Sequence, residues 1–364
     1  MISVHDFRSL RKASVHFITA EMVKRGTTRF FSVGLSSLSQ RRGDTRASFA
    51  DKAGLVEQHE QVACYLWRTF WHPFNMRKFI LAPIEAALFR GYRMMIPQIP
   101  RKWIAEADIV FIESGLAVIF IGDVRRINPS ARIIYLASDD LDVVECAGSI
   151  RRSFRRNYDK IDTVRLPSRF LADGMPHTRN VILAPHGIDR SIAEELYPDP
   201  YDGQKACISV GSMLFDPTFF TVAAAQFPEL QFHIIGAGKT DVATLILPNI
   251  IIHPEMAFAA TLPYLQHAVF GIAPYRDAET PRYLIDTSLK LRQFGLFGIP
   301  AVCPHFATGE VAGRFGYRPG DPESIRTAIE RALANREPII DSSHNWSAIV
   351  DRILRPQDYP DTKL

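Results

Sequence analysis

The 364-residue sequence has no long hydrophobic run. Its longest apolar stretches, such as residues 116–121, fall far short of the ~20 residues that a membrane-spanning helix needs. Its first 20 residues are too charged for a secretory signal, and its four cysteines lie far apart with no C-x-x-C pair. These absences exclude an integral membrane protein and argue against a zinc site or a disulfide framework. We therefore expect a folded protein of the reducing cytoplasm.

The charge is distributed unevenly between the two halves of the chain. Residues 1–200 carry 29 Lys and Arg against 22 Asp and Glu, whereas residues 201–364 carry 14 against 17. Hydrophobic residues make up 47% and charged residues 23%, the mix of a globular protein, and the length suits two domains.

One segment of the first half, residues 64–103, combines many aromatic rings with many cations. Its only acidic residue is Glu85. Aromatic side chains favour the membrane interface and cations favour anionic headgroups, so the segment is typical of a peripheral membrane surface. The alternative is that the rings form core and the cations are solvated. Nucleic acid is not an expected partner, because no nucleic-acid-binding motif accompanies the charge.

Short apolar runs alternate with helical patterns along the whole chain, which indicates parallel β-α-β units and an α/β fold. A polar, Pro-rich stretch at 197–205 is expected to be a linker. The predicted domains are an acceptor-binding, membrane-facing Rossmann-like domain over 1–196 and a nucleotide-sugar-binding Rossmann-like domain over 205–345. We expect the tail, 346–364, to cross back to the first domain.

Several motifs of the second half follow predicted strands. Gly236-Ala237-Gly238 forms a glycine turn that fits neither a P-loop nor a dinucleotide fingerprint. The run 211–217 ends a strand and opens a helix, with Asp216 as a helix cap or as a cleft residue. In Pro274-Tyr275, just after a predicted strand, the tyrosine ring is a candidate to stack on a nucleotide base. The cap 286–288 precedes Lys290 and Gln293, and a lysine at a helix amino terminus suits a diphosphate.

In the first half, acidic residues follow the predicted strand 132–137. Asp139 is a candidate general base for a sugar hydroxyl. Asp140-Leu141-Asp142 also matches an Asp-x-Asp metal pattern, which is common by chance. His5 and Asp6 follow the first strand and are expected to rim the crevice, and Asp189 either lines it or caps a helix.

Taken in order, these pieces resemble a GT-B glycosyltransferase, with two Rossmann-like lobes facing a central cleft. More narrowly, they resemble the bacterial glucuronosyltransferase family of xanthan-type polysaccharide assembly. The resemblance spans nearly the whole chain. It rests on the segments 5–8, 15–19, 26–32, 64–69, 113–115, 137–139, 186–189, 210–217, 270–275, 288–293, 297–304 and 314–317.

The resemblance implies an inverting, metal-independent transfer of glucuronic acid from UDP-glucuronate to the terminal mannose of a polyprenyl-diphosphate-linked oligosaccharide. It implies exopolysaccharide biosynthesis at the inner face of the cell membrane, with no cofactor and no bound metal. Asp139 would be the base, and His5, Asp6, Asp189 and Asp216 would line the cleft. The residues implied around UDP are Met213, Glu255, Tyr275, Leu289, Lys290 and Gln293.

Two departures accompany the resemblance: the family has methionine at Leu289 and glycine at Asp140. Three alternatives stay open. The same fold could use another UDP-sugar such as UDP-glucose, or retaining chemistry. A UDP-sugar 2-epimerase shares the fold but needs no lipid-facing surface. A non-catalytic subunit would bind nucleotide or lipid without turnover.

Overall fold

The computed structural model describes residues 1–41, 44–142, 146–238, 245–276, 281–339 and 343–364. The chain divides into two compact units. The first comprises residues 1–185 and 346–364, and the second comprises residues 186–345. None of the helices in the described ranges is long and apolar enough to cross a membrane.

The first unit is built on an eight-stranded sheet in the order β3-β4-β2-β1-β5-β6-β7-β8. All neighbouring strands are parallel except the β3–β4 hairpin. Continuous apolar runs such as IVFIE in β5 form strands that are covered on both faces. The strands are β1 Ile2–Ser3, β2 Thr28–Ser36, β3 Val56–His59, β4 Val62–Thr69, β5 Ile109–Glu113, β6 Arg132–Leu136, β7 Thr163–Leu166 and β8 Val181–Leu183.

Helices cover this sheet, and the chain's tail is one of them. The ring of Trp346 stacks on Phe17 with centroids 5.0 Å apart, and Arg25 pairs with Asp351 at 3.1 Å. The last residues add an antiparallel bridge from Lys363 to Ile182. The helices are α1 Ser14–Val23, α2 Ser37–Arg41, α3 Ala82–Met94, α4 Gln98–Ala105, α5 Ile121–Ile127, α6 Gly148–Asn157 and α13 Trp346–Leu354.

The second unit has a fully parallel six-stranded sheet in the order β11-β10-β9-β12-β13-β14. Its strands are β9 Ala206–Val210, β10 Gln231–Ile235, β11 Ile250–His253, β12 Gly271–Ile272, β13 Ala301–Pro304 and β14 Arg314–Tyr317. Its helices are α7 Ser191–Glu194, α8 Thr218–Gln226, α9 Phe258–His267, α10 Leu284–Thr287, α11 Leu289–Leu296 and α12 Pro322–Ala334.

The expected linker at 197–205 is wrong. Tyr201 is only 3% exposed and packs in the second unit's core, where its hydroxyl donates to the Tyr264 carbonyl at 2.7 Å. The stretch belongs to the second unit, which begins at residue 186. Proline and polar residues signal an irregular backbone, but they do not show whether an aromatic side chain among them is buried.

Both sheets reverse their strand order at one point, and this point predicts where ligands bind. In the first unit the reversal lies between β1 and β5, and in the second between β9 and β12. In open parallel sheets the crevice at the carboxyl ends of the two strands flanking such a point is the usual ligand site. The loops after these four strands therefore define the candidate sites.

Candidate functional site

The first unit collects acidic and hydroxyl side chains at its reversal point. Asp139, half-buried, follows β6, and its backbone N–H donates to Ser114 Oγ at 3.2 Å. Ser114 follows β5 and is itself held by a backbone bond from its N–H to the Leu136 carbonyl. Two neighbouring strands thus fix the backbone of Asp139, and a carboxylate at this place suits proton transfer.

Beneath this loop lies a second carboxyl group, Glu113, which is only 2% exposed. Ser138 Oγ donates to its Oε1 at 3.2 Å, and Ser3 Oγ donates to its Oε2. Burial and the nearby charge of Asp139 raise the pKa of Glu113 to about 7, although the two serine hydrogen bonds act in the opposite direction. Glu113 therefore changes charge near neutral pH, directly below the proposed base.

His5 lies beside Glu113, with Nε2 3.6 Å from Oε1. Loss of surrounding water and the charge of Arg46 lower the pKa of His5 to about 4, so its imidazole is neutral at pH 7. Arg46 also donates to the carbonyls of Val33, at 2.7 Å, and Gly34, at 3.2 Å, just inside the end of β2. The unit therefore brings a cation to the edge that carries the acidic groups.

Asp6 does not rim an open site, contrary to the expectation. It is fully buried, and Arg8 donates to both of its oxygens at 2.8 Å, with Ser32 Oγ at 3.1 Å from Oδ2. Despite the opposing effect of burial, these hydrogen bonds and the Arg8 charge hold the pKa of Asp6 below its usual range. Its role is to anchor the loop after β1.

The Asp-x-Asp pair is engaged within the protein. Asp140 Oδ1 accepts from the Asp142 N–H at 2.8 Å, and Asp142 lies 3.5 Å from Arg151 and 3.6 Å from Arg155. Within the described ranges, no group of three or more His, Cys, Asp or Glu side chains could hold a metal ion.

In the second unit, the loop after β9 is bound to the chain after β12. The Asp216 N–H donates to the Pro274 carbonyl at 2.8 Å, and Phe215 forms a bridge with Tyr275. Arg276 Nε donates to the Phe215 carbonyl at 2.9 Å. Leu214 has φ 50°, in the left-handed region that non-glycine residues seldom adopt. The loop is held in shape from both sides of the reversal point.

Tyr275 does not offer its ring to a base, because it is fully buried. Its hydroxyl lies 2.6 Å from Ser288 Oγ, and Ser288 caps α11 by accepting from the Leu291 N–H at 3.2 Å. Lys290, in the first turn of α11, has Nζ 5.6 Å from the centre of the Tyr275 ring. Tyr275 therefore supports α11 and its lysine from below.

The other predicted residues are dispersed over this unit. Met213 and Glu255 are exposed, while Leu289 and Gln293 are half-buried on α11. Glu255 approaches the glycine turn after β10, where a Cβ on Gly236 would lie 3.6 Å from its Cα. Lys239, Thr240 and Asp241, which follow that turn in the sequence, lie outside the described residues.

Two predicted cleft aspartates act locally as caps. Asp216 is buried, and its Oδ1 accepts from the Thr218 N–H at 3.0 Å and from Thr218 Oγ1 at 2.6 Å. Asp189 is exposed, and its Oδ1 accepts from the Ser191 N–H at 3.1 Å and from Ser191 Oγ at 2.7 Å. Both carboxylates are thus bonded to the first residue of the helix that follows them, α8 for Asp216 and α7 for Asp189.

Comparison with known proteins gives this arrangement a family. Residues 1–167 match the family model described as glucuronosyltransferase GumK, N-terminal domain. The chain is 43% identical, over all of its 364 residues and 91% of the relative's length, to the UDP-glucuronate:glycolipid 2-beta-glucuronosyltransferase of Xanthomonas campestris pv. campestris. The chain belongs to this glucuronosyltransferase family.

Two solved structures share the fold of this glucuronosyltransferase family member over nearly its full length. An α,α-trehalose-phosphate synthase from Burkholderia xenovorans matches with a TM-score of 0.63 at 15% identity, over 98% of this chain and 99% of that one. A sucrose-phosphate synthase from Thermosynechococcus elongatus matches with a TM-score of 0.63 at 13% identity, over 98% of each chain. The GT-B glycosyltransferase fold is confirmed.

The sequence alone did not indicate the roles of three residues near the reversal points, Glu113, Arg46 and Ser288. Glu113 belonged to a resembling motif, but nothing in that motif indicated its burial or its serine partners. Arg46 lies in the short 3-10 helix Thr45–Lys52, which no sequence pattern indicates. Ser288 is a recognisable helix cap, but its bond to Tyr275 has no local signal. Their partners are 13 to 110 residues away along the chain, so local patterns carry no signal of them.

Proposed function

We propose that this glycosyltransferase moves glucuronic acid from UDP-glucuronate to the terminal mannose of a polyprenyl-diphosphate-linked oligosaccharide, with inversion at the anomeric carbon. The observation that carries the proposal is the 43% identity to a UDP-glucuronate:glycolipid 2-beta-glucuronosyltransferase along the entire chain. The chemistry of the two reversal points supports it, because one is acidic and the other offers a lysine at a helix amino terminus.

Asp139 is the proposed base. Its carboxylate takes the proton of the mannose hydroxyl, and the hydroxyl oxygen bonds to the anomeric carbon as the bond from that carbon to UDP breaks. The hydrogen bond from the Asp139 backbone N–H to Ser114 Oγ keeps this residue in position during the step. Attack from the face opposite UDP gives inversion.

UDP is the proposed ligand of the second unit. Lys290 and the positive end of α11 would offset the negative charge that grows on the leaving diphosphate, without a bound metal or another cofactor. Gln293 lies one turn further along α11, and Glu255 and Met213 are exposed on neighbouring loops, where they are available to ribose, uracil or sugar. Tyr275 would act through Lys290 and Ser288.

We place the reaction at the inner face of the cell membrane, in exopolysaccharide biosynthesis. The segment 64–103 supports this place only in part, because Tyr65, Trp67, Phe89 and Tyr92 are buried in the core. Phe70 and Phe74 are exposed, as are most of the segment's cations. The side chain of Phe79 lies outside the described set.

Label transfer with the full-length protein tests the proposal. Radiolabelled UDP-glucuronate and UDP-glucose are offered in parallel to a mannose-ended lipid diphosphate, with and without excess chelator. The expected result is transfer from UDP-glucuronate only, unchanged by the chelator. Transfer from UDP-glucose instead would overturn the donor, loss of transfer with the chelator would overturn metal independence, and UDP binding without any transfer would favour a non-catalytic subunit.

A further inference from the structure

A groove on the first unit runs between α3 and α6 and is lined mainly by arginines. Its volume is about 590 Å³. On each helix the lining residues recur at i, i+3, i+4, i+7 and i+8, so one full stripe of each helix faces the groove. The stripes are Ala86, Phe89, Arg90, Arg93 and Met94 on α3, and Ser149, Arg152, Ser153, Arg156 and Asn157 on α6.

The positive charge of this arginine groove is only partly balanced. Five arginines line it, with Arg126 of α5 as the fifth, against one aspartate, Asp123. Asp123 is buried and accepts from both Arg93, at 2.7 Å, and Arg126. Arg152 lies 3.7 Å from Glu85, which is also buried. The two buried carboxylates hold these arginines in place without cancelling the excess.

Arg90 on α3 and Arg156 on α6 differ from the other three arginines of the groove, which pair with buried carboxylates. Both are exposed, and neither forms an ion pair or hydrogen bond with any of the residues that the structure describes. Ser149 Oγ accepts from Arg152 at 2.9 Å, so a hydroxyl also lies in the groove. A planar guanidinium matches the geometry of phosphate oxygens, and several arginines around one cavity can donate to the same phosphate group.

The surroundings of the arginine groove are apolar and exposed. Met94 is 77% exposed at its rim, and Ile84 on the same helix is 53% exposed. Ile80 and Met95, which flank α3 at its two ends, are exposed as well. Exposed methionine and isoleucine beside clustered cations suit a bilayer, where apolar side chains enter the acyl boundary and cations meet headgroups. They do not suit a nucleic acid, whose backbone offers no apolar layer.

We propose that the arginine groove binds the phosphate headgroup of an anionic membrane phospholipid and so fixes how the first unit lies on the bilayer. The proposal rests on the proposed membrane association and goes beyond it, because three of its five arginines lie outside the aromatic and basic segment 64–103. It commits to a bilayer phospholipid, with the diphosphate of the lipid-linked acceptor as the competing occupant.

Cosedimentation of the full chain with vesicles tests the proposal, without donor or acceptor present. The vesicles are phosphatidylcholine alone, phosphatidylcholine with phosphatidylglycerol, and phosphatidylcholine with a polyprenyl diphosphate. The test variant is Arg90→Gln/Arg156→Gln, since neither side chain supports the fold through a polar contact. The matched control is Arg169→Gln/Arg179→Gln, which removes the same charge from exposed positions of the same unit, outside both the groove and the segment 64–103.

The wild type is expected to bind the phosphatidylglycerol vesicles, and the groove variant to bind them about 10- to 30-fold more weakly. The control should change binding less than about two-fold, because exposed charges at a distance are screened. Equal losses in both variants would overturn the groove and leave only diffuse attraction. Binding confined to the polyprenyl diphosphate vesicles would reassign the groove to the acceptor, and displacement by a DNA duplex would reassign it to nucleic acid. A wild type that binds no vesicle would remove the membrane association itself, while leaving the transfer reaction to its own test.

Discussion

The two units share a strand order around the reversal point but present opposite chemistry there. In the first unit the carboxyl ends of β1, β5 and β6 bring together His5, Glu113 and Asp139. In the second unit the loops after β9 and β12 are tied to each other, and α11 adds Lys290. The same topology thus supplies a proton acceptor in one case and an anion site in the other. The few residues that follow the strands decide which, not the sheet itself.

The largest effect is expected from a substitution that removes the proposed base of the first unit, Asp139. Asp139→Asn keeps the size and the backbone bond to Ser114 but removes the proton-accepting charge. We expect kcat to fall about 10²- to 10⁴-fold with little change in fold or melting temperature. Label transfer from UDP-glucuronate measures it, with Asp159→Asn, an exposed aspartate of the same unit, as the control. A variant that retains full turnover would remove Asp139 from the chemistry.

Lys290→Met should break the cationic site in the second unit. The substitution keeps the length of the side chain and its packing beside Tyr275 but removes the charge offered to the leaving diphosphate. The expected loss in kcat/KM is about 10²- to 10³-fold, with weaker UDP binding. Lys205→Met, at an exposed position of the same unit, should leave both unchanged. Unaltered UDP binding in Lys290→Met would contradict this assignment.

The buried carboxyl of the first unit predicts a pH dependence of stability. Between pH 4.5 and about 7 the unfolded chain ionises Glu113 while the folded chain keeps it protonated. The folded state then binds more protons, so the free energy of unfolding falls as pH rises through this window. Relative to Glu113→Gln, the wild type should lose up to about 3 kcal/mol across it.

Urea denaturation of the wild type and Glu113→Gln at several pH values measures this difference. Glu60→Gln changes an exposed glutamate of the same unit and should track the wild type throughout. A constant difference between the wild type and Glu113→Gln from pH 4.5 to 7 would show that Glu113 is not held protonated.

The smallest expected effect concerns the support below Lys290. Ser288→Ala removes the cap of α11 and the partner of the Tyr275 hydroxyl, and we expect a loss of about 1–2 kcal/mol of stability. Tyr275→Phe keeps the cap and should cost less, so the pair separates the two bonds. Thermal unfolding with and without UDP measures both, and equal losses in the two variants would show that the cap contributes little.

Much of this architecture could be predicted from the sequence, and the exceptions have physical causes. Apolar runs in the sequence coincide with the strands β5, β7, β9, β10 and β11, and the alternation of such runs with helical patterns indicates the α/β fold. The strands β3 and β14, with sequences VEQH and RFGY, carry too few buried side chains to show a pattern. The helix α6, GSIRRSFRRN, has only Ile150 and Phe154 on its apolar face, too few for a helical pattern to show in the sequence.

The candidate site was predictable in place but not in detail. Position at the end of a strand indicated Asp139, and the helix cap before Lys290 indicated the first turn of α11. Burial could not be inferred in the same way, because it depends on packing between distant segments. For this reason Tyr275 was expected to stack on a nucleotide base and Asp6 to line the crevice. Both are fully buried instead, and each is hydrogen-bonded within its own unit.

We expect binding of the nucleotide and removal of the proton to reside in different units of the chain. Titration calorimetry with UDP on the wild type, Asp139→Asn and Lys290→Met tests it most directly. We expect Asp139→Asn to bind UDP as the wild type does, despite its large loss of kcat, and Lys290→Met to bind UDP at least about ten-fold more weakly. Weakened UDP binding in Asp139→Asn together with unchanged binding in Lys290→Met would contradict it.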